Sequence, residues 1–245
     1  MSHQRVNAVV QARTGSSRLP GKVLRPLADT SVLGWVVRAA RASGAIDEVV
    51  VATSSLTGDD AVADEAARLG VPVTRGDEDD VLSRFLQAAE EHPAEAVVRL
   101  TADCPFLDPA LITQTVAVWR ADPSLDYVAT TLVRTLPRGL DVELATVAAL
   151  REVSRTAVGH HRTHVTSGLY AAPARFRLAG LVVAPRADDL RVTLDTAADA
   201  DLIEAVAAEL GTGPWPWRDV VALLRARPDL VALNADVLQK PLEAG

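Results

Sequence analysis

Between Gln11 and Lys22 the chain reads Gln-Ala-Arg-Thr-Gly-Ser-Ser-Arg-Leu-Pro-Gly-Lys, which places three cations, three hydroxyls and two glycines in twelve residues. Glycines let backbone N–H groups come close to an anion, and Arg13, Arg18 and Lys22 neutralise it. A polyphosphate is the ligand such a run is equipped to hold. The chain has two lysines, Lys22 and Lys240, against 23 arginines, so a lysine here departs from the local habit. Lysine meets a phosphate as a compact point charge, whereas arginine presents a planar fork. A merely solvated surface loop fits less well, because the basic residues cluster with Gly and Ser rather than alternating along a helix face. Walker spacing is absent, and so is the Gly-x-Gly-x-x-Gly dinucleotide fingerprint.

Two carboxylates follow apolar runs and could hold a metal beside such an anion. In Arg99-Leu100-Thr101-Ala102-Asp103-Cys104-Pro105, Asp103 comes directly after a predicted strand, with a proline two residues on. Magnesium takes one or two carboxylates together with phosphate oxygens and water, so Asp103 reads as a metal ligand or as a turn residue. Asp108 reads as a helix cap, since Pro109 follows at the first helical position. Arg191-Val192-Thr193-Leu194-Asp195-Thr196 reads as a strand ending at Asp195, a second ligand acting directly or through water. Asp199 and Asp201 beyond it are explained as first-turn acids that complement the helix dipole.

The middle of the chain carries a further set. Pro137 to Glu143 reads as a turn feeding a strand, with Asp141 and Glu143 on one face because side chains repeat every two residues. His160, His161 and His164 invite a zinc reading. No cysteine pair accompanies them and their spacing is not that of a metalloprotease helix, so zinc is rejected. Most of the acids in Asp77-Glu78-Asp79-Asp80 should face solvent, because they would repel a nearby triphosphate. Trp215-Pro216-Trp217 reads as a packing anchor.

The elements that must position these residues alternate. Apolar strands are predicted at 6–10, 49–52, 71–73 and 96–100, and helices at 31–43, 59–69, 79–91, 108–120 and 197–210. This order implies a mostly parallel sheet with helices on both faces, whose ligands sit beyond the carboxyl ends of the strands. The 245 residues suffice for one large α/β domain, with residues 130–185 a subregion for acceptor contacts and a dimer interface. No apolar stretch approaches the ~18 residues that cross a bilayer, and the start, Met-Ser-His-Gln-Arg, lacks a signal-peptide pattern. A single cysteine, Cys104, suits a reducing cytoplasm, and the net charge of −7 argues against nucleic acid as a partner.

Ala-Arg-x-x-Ser-x-Arg-Leu-Pro-Gly-Lys resembles the signature loop of the cytidylyltransferases that make CMP-activated sugars. The Gln-Ala-Arg opening looks most like the spore-coat polysaccharide biosynthesis protein F family within that group. The resemblance implies a three-layer α/β/α nucleotide-diphospho-sugar transferase-like fold, Rossmann-like, with a mixed, mostly parallel sheet. It implies transfer of CMP from CTP to a small anionic acceptor, with Mg²⁺ and release of pyrophosphate, by a homodimer. Gln11, Ala12, Arg13, Gly15, Ser17, Arg18, Lys22, Thr53, Arg75, Gly76, Thr101 and Asp103 are then the nucleotide contacts, with Arg84 on the rim. Arg13, Arg18, Lys22 and Asp103 carry catalysis, and Asp103 and Asp195 hold the metal.

Arg138, Asp141, Glu143, His164 and Thr166 face the acceptor, His164 orienting it, assisting its deprotonation or simply packing. Thr101-Ala102-Asp103 stands where many sugar-acid members have Gln-Gly-Asp, and Ala197 and Ala198 replace the usual proline and glutamate after Asp195. Asn234 and Lys240 resemble the subgroup's closing pattern. Two rival functions use the same residues: a glycosyltransferase spending a finished sugar nucleotide, and a nucleotide-binding protein without turnover.

Overall fold

The computed structural model describes residues 4–239, so residues 1–3 and 240–245, Lys240 among them, lie outside the described residues. The first half runs β1 (Val6–Gln11), β2 (Pro26–Leu27), β3 (Thr30–Ser31), α1 (Val32–Ala42), β4 (Glu48–Ser54), α2 (Asp60–Arg68), β5 (Val73–Gly76), α3 (Val81–Glu91), β6 (Ala96–Thr101) and α4 (Pro109–Ala121). Next come β7 (Tyr127–Ala129), β8 (Glu143–Thr146), α5 (Val147–Ser154), α6 (His160–Thr163), α7 (Ser167–Tyr170) and β9 (Leu178–Gly180). Three helices close the chain: α8 (Ala197–Leu210), α9 (Trp217–Ala226) and α10 (Pro228–Ala232).

Seven strands form one sheet in the order β5-β4-β1-β6-β8-β7-β9. Strands β5, β4, β1 and β6 are parallel, β8 is antiparallel to β6 and β7, and β9 is parallel to β7. Only β8 runs against the rest. Alternation along the strands explains the layers. Ala8, Val10, Val51 and Leu100 pack on one face beneath α1, α2, α4, α8 and α9, while Val9, Val50, Ala52 and Val97 pack on the other beneath α3, α5 and α7. The result is the three-layer α/β/α arrangement with a mixed, mostly parallel sheet. Local chemistry sets the helix starts: Ser31 caps α1, Asp80 caps α3, and Asp108 caps α4 ahead of Pro109.

Two elements differ from the sequence expectation. The strand expected at 71–73 forms at Val73–Gly76, because the Val71 N–H closes α2 on the Ala66 carbonyl. Residues 191–196 make no strand. Arg191 forms an isolated bridge with Arg138, and the Leu194 N–H donates to the Asp103 carbonyl at 2.9 Å. That bond lays the Asp195 segment directly beside Asp103. The close approach also depends on Gly139, where φ is +104° and a Cβ would lie 2.6 Å from the Thr193 nitrogen.

Candidate active site

The basic loop leaves the end of β1 and is pinned from below. Buried Asp59 accepts the Thr14 N–H at 2.7 Å and the Thr14 hydroxyl at 2.8 Å, and it also accepts the Ser54 hydroxyl. Burial pushes the Asp59 pKa up, but these hydrogen bonds outweigh it and hold the carboxyl below its ordinary range. Gly21, at φ +69°, turns the chain into a single 3₁₀ turn that begins at Lys22.

Lys22 is buried there between two carboxylates. Its Nζ donates to Asp103 Oδ2 at 2.5 Å and to Asp195 Oδ1 at 2.7 Å. Burial disfavours the ammonium, yet Asp103 and Asp195 together raise its pKa above the usual lysine value. Asp195 Oδ2 is held by Arg18 at 3.0 Å and Arg191 at 2.6 Å. The Asp195 carboxyl, pushed up by burial, is brought below its ordinary value by Lys22, Arg191 and Arg18. Behind it, fully buried Asp199 accepts from Arg191 Nε at 2.9 Å and from Asn234 at 2.8 Å, and completes a capping box with Thr196. Asp199 therefore does more than complement a helix dipole: it orients the arginine that orients Asp195.

Two clefts meet at this cluster. The smaller, about 360 Å³, is lined by nine of the expected nucleotide contacts: Gln11, Ala12, Arg13, Gly15, Ser17, Arg18, Lys22, Thr101 and Asp103. The larger, about 830 Å³, is lined by all five expected acceptor residues, Arg138, Asp141, Glu143, His164 and Thr166. Arg18, Thr101, Asp103 and Asp195 line both. Thr53, Arg75 and Gly76 line neither. Thr53 is buried in β4 beside Arg75, whose guanidinium is spent on the Ser54 and Leu56 carbonyls and on Asp60. Gly76 gives passage to the Arg84 side chain, since a Cβ there would lie 2.9 Å from Arg84 Cγ.

In the larger cleft the carboxylates already have cations. Glu143, buried, pairs with Arg99 and accepts from the Thr166 hydroxyl and, at 2.5 Å, from the Tyr127 hydroxyl. Burial alone would raise the Glu143 pKa, but Arg99 and the two hydroxyls bring it below its ordinary range. Asp141 accepts both arms of Arg134, at 2.6 and 2.9 Å. The Arg138 guanidinium has no hydrogen bond or ion pair among the described residues. Burial, with Arg134 and Arg191 nearby, lowers its pKa. The cleft thus holds one cation left over for an anionic guest.

Asp103 and Asp195 offer the donor set magnesium prefers: two carboxylates converging on one point, beside the cleft lined by the basic loop. Lys22 marks that point with a positive charge, so the residues present fit a divalent cation. Among the described residues no three His, Cys, Asp or Glu side chains cluster where they could hold a metal ion.

Sequence reading missed Arg99, Arg134, Arg191, Asp59 and Tyr127. Arg99 had a signal, a charge inside the apolar strand Ala-Val-Val-Arg-Leu-Thr. The others gave none that a local pattern would flag, their partners lying near in sequence for Arg191 and Arg134 and farther for Tyr127. Among the described residues no helix is long and apolar enough to cross a membrane.

A family model described as cytidylyltransferase matches residues 7–171. The spore coat polysaccharide biosynthesis protein SpsF of Bacillus subtilis is 34% identical over 230 residues, 90% of this chain and 94% of that one. An uncharacterised protein of Methanocaldococcus jannaschii, MJ1063, is 31% identical over 239 residues, covering 96% and 97%. Among solved structures, a cytidylyltransferase from Leptospira borgpetersenii superposes with a TM-score of 0.90 at 27% identity, over 94% of this chain and 97% of that one. A CMP:2-keto-3-deoxy-manno-octonic acid synthetase complexed with CTP shares the fold, with a TM-score of 0.66 at 19% identity over 84% and 100%. With the clefts, the carboxylate pair and the basic loop in place, the chain belongs to the cytidylyltransferase family and is a nucleotidyltransferase.

Proposed function

We propose that this protein transfers CMP from CTP to an oxygen of a small anionic acceptor, a sugar acid or a similar anion, releasing pyrophosphate. One observation carries the reading: the phosphate-binding cleft and the acceptor cleft share Asp103, Asp195 and Arg18. The α-phosphate of a nucleotide belongs where they meet. The acceptor oxygen attacks the α-phosphorus in line, and the bond from that phosphorus to the bridging oxygen of pyrophosphate breaks. Little covalent chemistry falls to the protein, so positioning and charge neutralisation dominate.

Arg13, Arg18 and Lys22 stabilise the charge that builds on the leaving pyrophosphate, with Ser17 and Gly15 shaping the loop around it. Gln11, Ala12 and Thr101 line the nucleotide side. Asp103 and Asp195 would hold Mg²⁺, which supplies Lewis-acid polarisation of the phosphate when bound. Arg138 anchors the acceptor's anionic group, while Asp141, Glu143 and Thr166 shape the pocket and His164 stands ready for the acceptor's proton. Exposed Val133, Val158 and Val182 in the 130–185 segment support a homodimer, which light scattering checks. A cytoplasmic setting suits the nucleotide substrate.

The test is pyrophosphate release with Mg²⁺, four nucleoside triphosphates, and a panel of sugar acids, sugar phosphates and phosphonates. Release with CTP and one acceptor class supports the reading. CTP bound but not consumed across the panel favours a binding protein, and transfer from a finished sugar nucleotide favours a glycosyltransferase.

A further inference from the structure

Beyond α10 the chain returns to the active site as a strap, residues 234–239. Buried Asn234 donates to Asp199 Oδ1 at 2.8 Å and to the Arg191 carbonyl at 3.3 Å. Arg18 donates to the Leu238 carbonyl at 3.3 Å, and Arg191 Nη1 donates to Gln239 Oε1 at 2.8 Å. The strap therefore rests on Arg18 and Arg191, the two arginines that hold Asp195 Oδ2. It also brings Gln239 into the wall of the larger cleft and not of the smaller one.

Chemistry fixes what Gln239 can offer that cleft. A carboxamide has an oxygen that accepts and an NH₂ group that donates, whereas a guanidinium only donates. The amide oxygen is thus committed to Arg191, and the NH₂ group is turned away from it. Gln239 Nε2 makes no hydrogen bond among the described residues, so it remains a donor without an acceptor. Arg191 also adjoins Arg138: the two backbones bridge in parallel, and the two charges are close enough to interact. Arg138 and Gln239 therefore share a neighbour, line the same cleft and are both uncommitted. The cleft's carboxylates differ, since Asp141 is held by Arg134 and Glu143 by Arg99.

We propose that Gln239 is an acceptor-binding residue: its Nε2 donates to the acceptor's anionic group alongside Arg138, so that the closing strap takes part in choosing the guest. An anionic group with two or more oxygens can meet a charged donor and a neutral one together. This rests on the reading of the larger cleft as the acceptor site and adds to it a residue from the end of the chain.

Steady-state pyrophosphate release tests it, on the unaltered protein, Gln239→Glu and Gln239→Ala. CTP and the sugar acid, sugar phosphate or phosphonate of the panel that supports release are each varied in turn. Gln239→Glu keeps the side-chain length and the bond from Arg191 but sets a carboxylate oxygen where the NH₂ group stood. It is expected to raise the KM for the acceptor at least about tenfold and to leave the KM for CTP within about twofold. Gln239→Ala only removes the donor, and its acceptor KM is expected to rise about threefold or more. Gln239 is exposed, so both variants should melt within about 2 °C of the unaltered protein. A fall in kcat at unchanged acceptor KM would overturn the proposal, because Gln239 would then only steady Arg191. Equal rises in both KM values would overturn it as well. A protein that releases pyrophosphate with no member of the panel would overturn the parent reading and this one with it, whereas release with an unaltered acceptor KM in both variants overturns only this one.

Discussion

Lys22 and Asp103, 81 positions apart in sequence, meet at 2.5 Å where the smaller cleft adjoins the larger one. Their contact fixes the position of a positive charge at the junction of the two clefts, where the proposed reaction would bring donor and acceptor together. Catalysis by charge neutralisation needs that charge in place before the reaction begins, and burial of Lys22 keeps it there.

Lys22→Ala is therefore expected to lower the rate of pyrophosphate release by two or more orders of magnitude, about 3 kcal/mol or more in barrier. Asp195 keeps Arg18 and Arg191 in the variant, so the fold should survive. Turnover measured beside a circular-dichroism melt checks both halves. An unchanged rate would remove the loop from the mechanism.

Arg138→Ala separates the two clefts. Its guanidinium lines only the larger one, so the KM for the acceptor should rise at least tenfold while the KM for CTP stays within about twofold. Steady-state kinetics with each substrate varied in turn decide. Equal rises in both would show that the clefts are not separate subsites.

Glu143 governs behaviour in acid. Its folded pKa lies below the ordinary 4.5, so its contribution is complete above that value and is lost as pH falls through the depressed folded pKa. Glu143→Gln should flatten the dependence of unfolding free energy on pH below 4.5. At neutral pH the variant leaves Arg99 buried without its partner, costing about 3 kcal/mol. Denaturant titrations across the pH range test both statements.

Gly139→Ala asks whether the Arg138–Arg191 bridge matters. At φ +104°, with a Cβ only 2.6 Å from backbone, the chain must move, at a cost of roughly 2 kcal/mol or more. Because Asp195 rides on the displaced segment, activity should fall together with Tm. A thermal melt with no shift would show that the turn relaxes freely.

Most of the lining of the smaller cleft was legible because its signals are local. Val6–Gln11, the basic loop and Asp103 sit in short runs whose composition and order state their chemistry. The lining of the larger cleft was less so. Arg99 meets Glu143 across 44 positions and Thr193 lies beside Asp103 across 90, so each is defined by a partner no local pattern announces. Residues 191–196 read as a strand because Val192, Thr193 and Leu194 are apolar or β-branched; in the fold they are buried against the Asp103 loop instead of paired in the sheet. Arg75 shows the converse: the resemblance implies a nucleotide contact, yet its donors go to the Ser54 and Leu56 carbonyls and to Asp60. Strands β7 and β9, three residues each, are too short for periodicity to reveal.

The reversed strand β8 has a consequence for how such a protein can change. A strand running with its neighbours delivers its last residue to the reactive edge, whereas β8 delivers its first, Glu143, in register with Arg99. Arg138, Asp141 and Glu143 of the larger cleft therefore sit on the way into that strand, while the smaller cleft is built at the exits of β1 and β6. Entry and exit belong to different stretches of chain and answer to different constraints. Substitutions in 138–143 can reshape the larger cleft while the β1 and β6 exits that line the smaller one stay as they are.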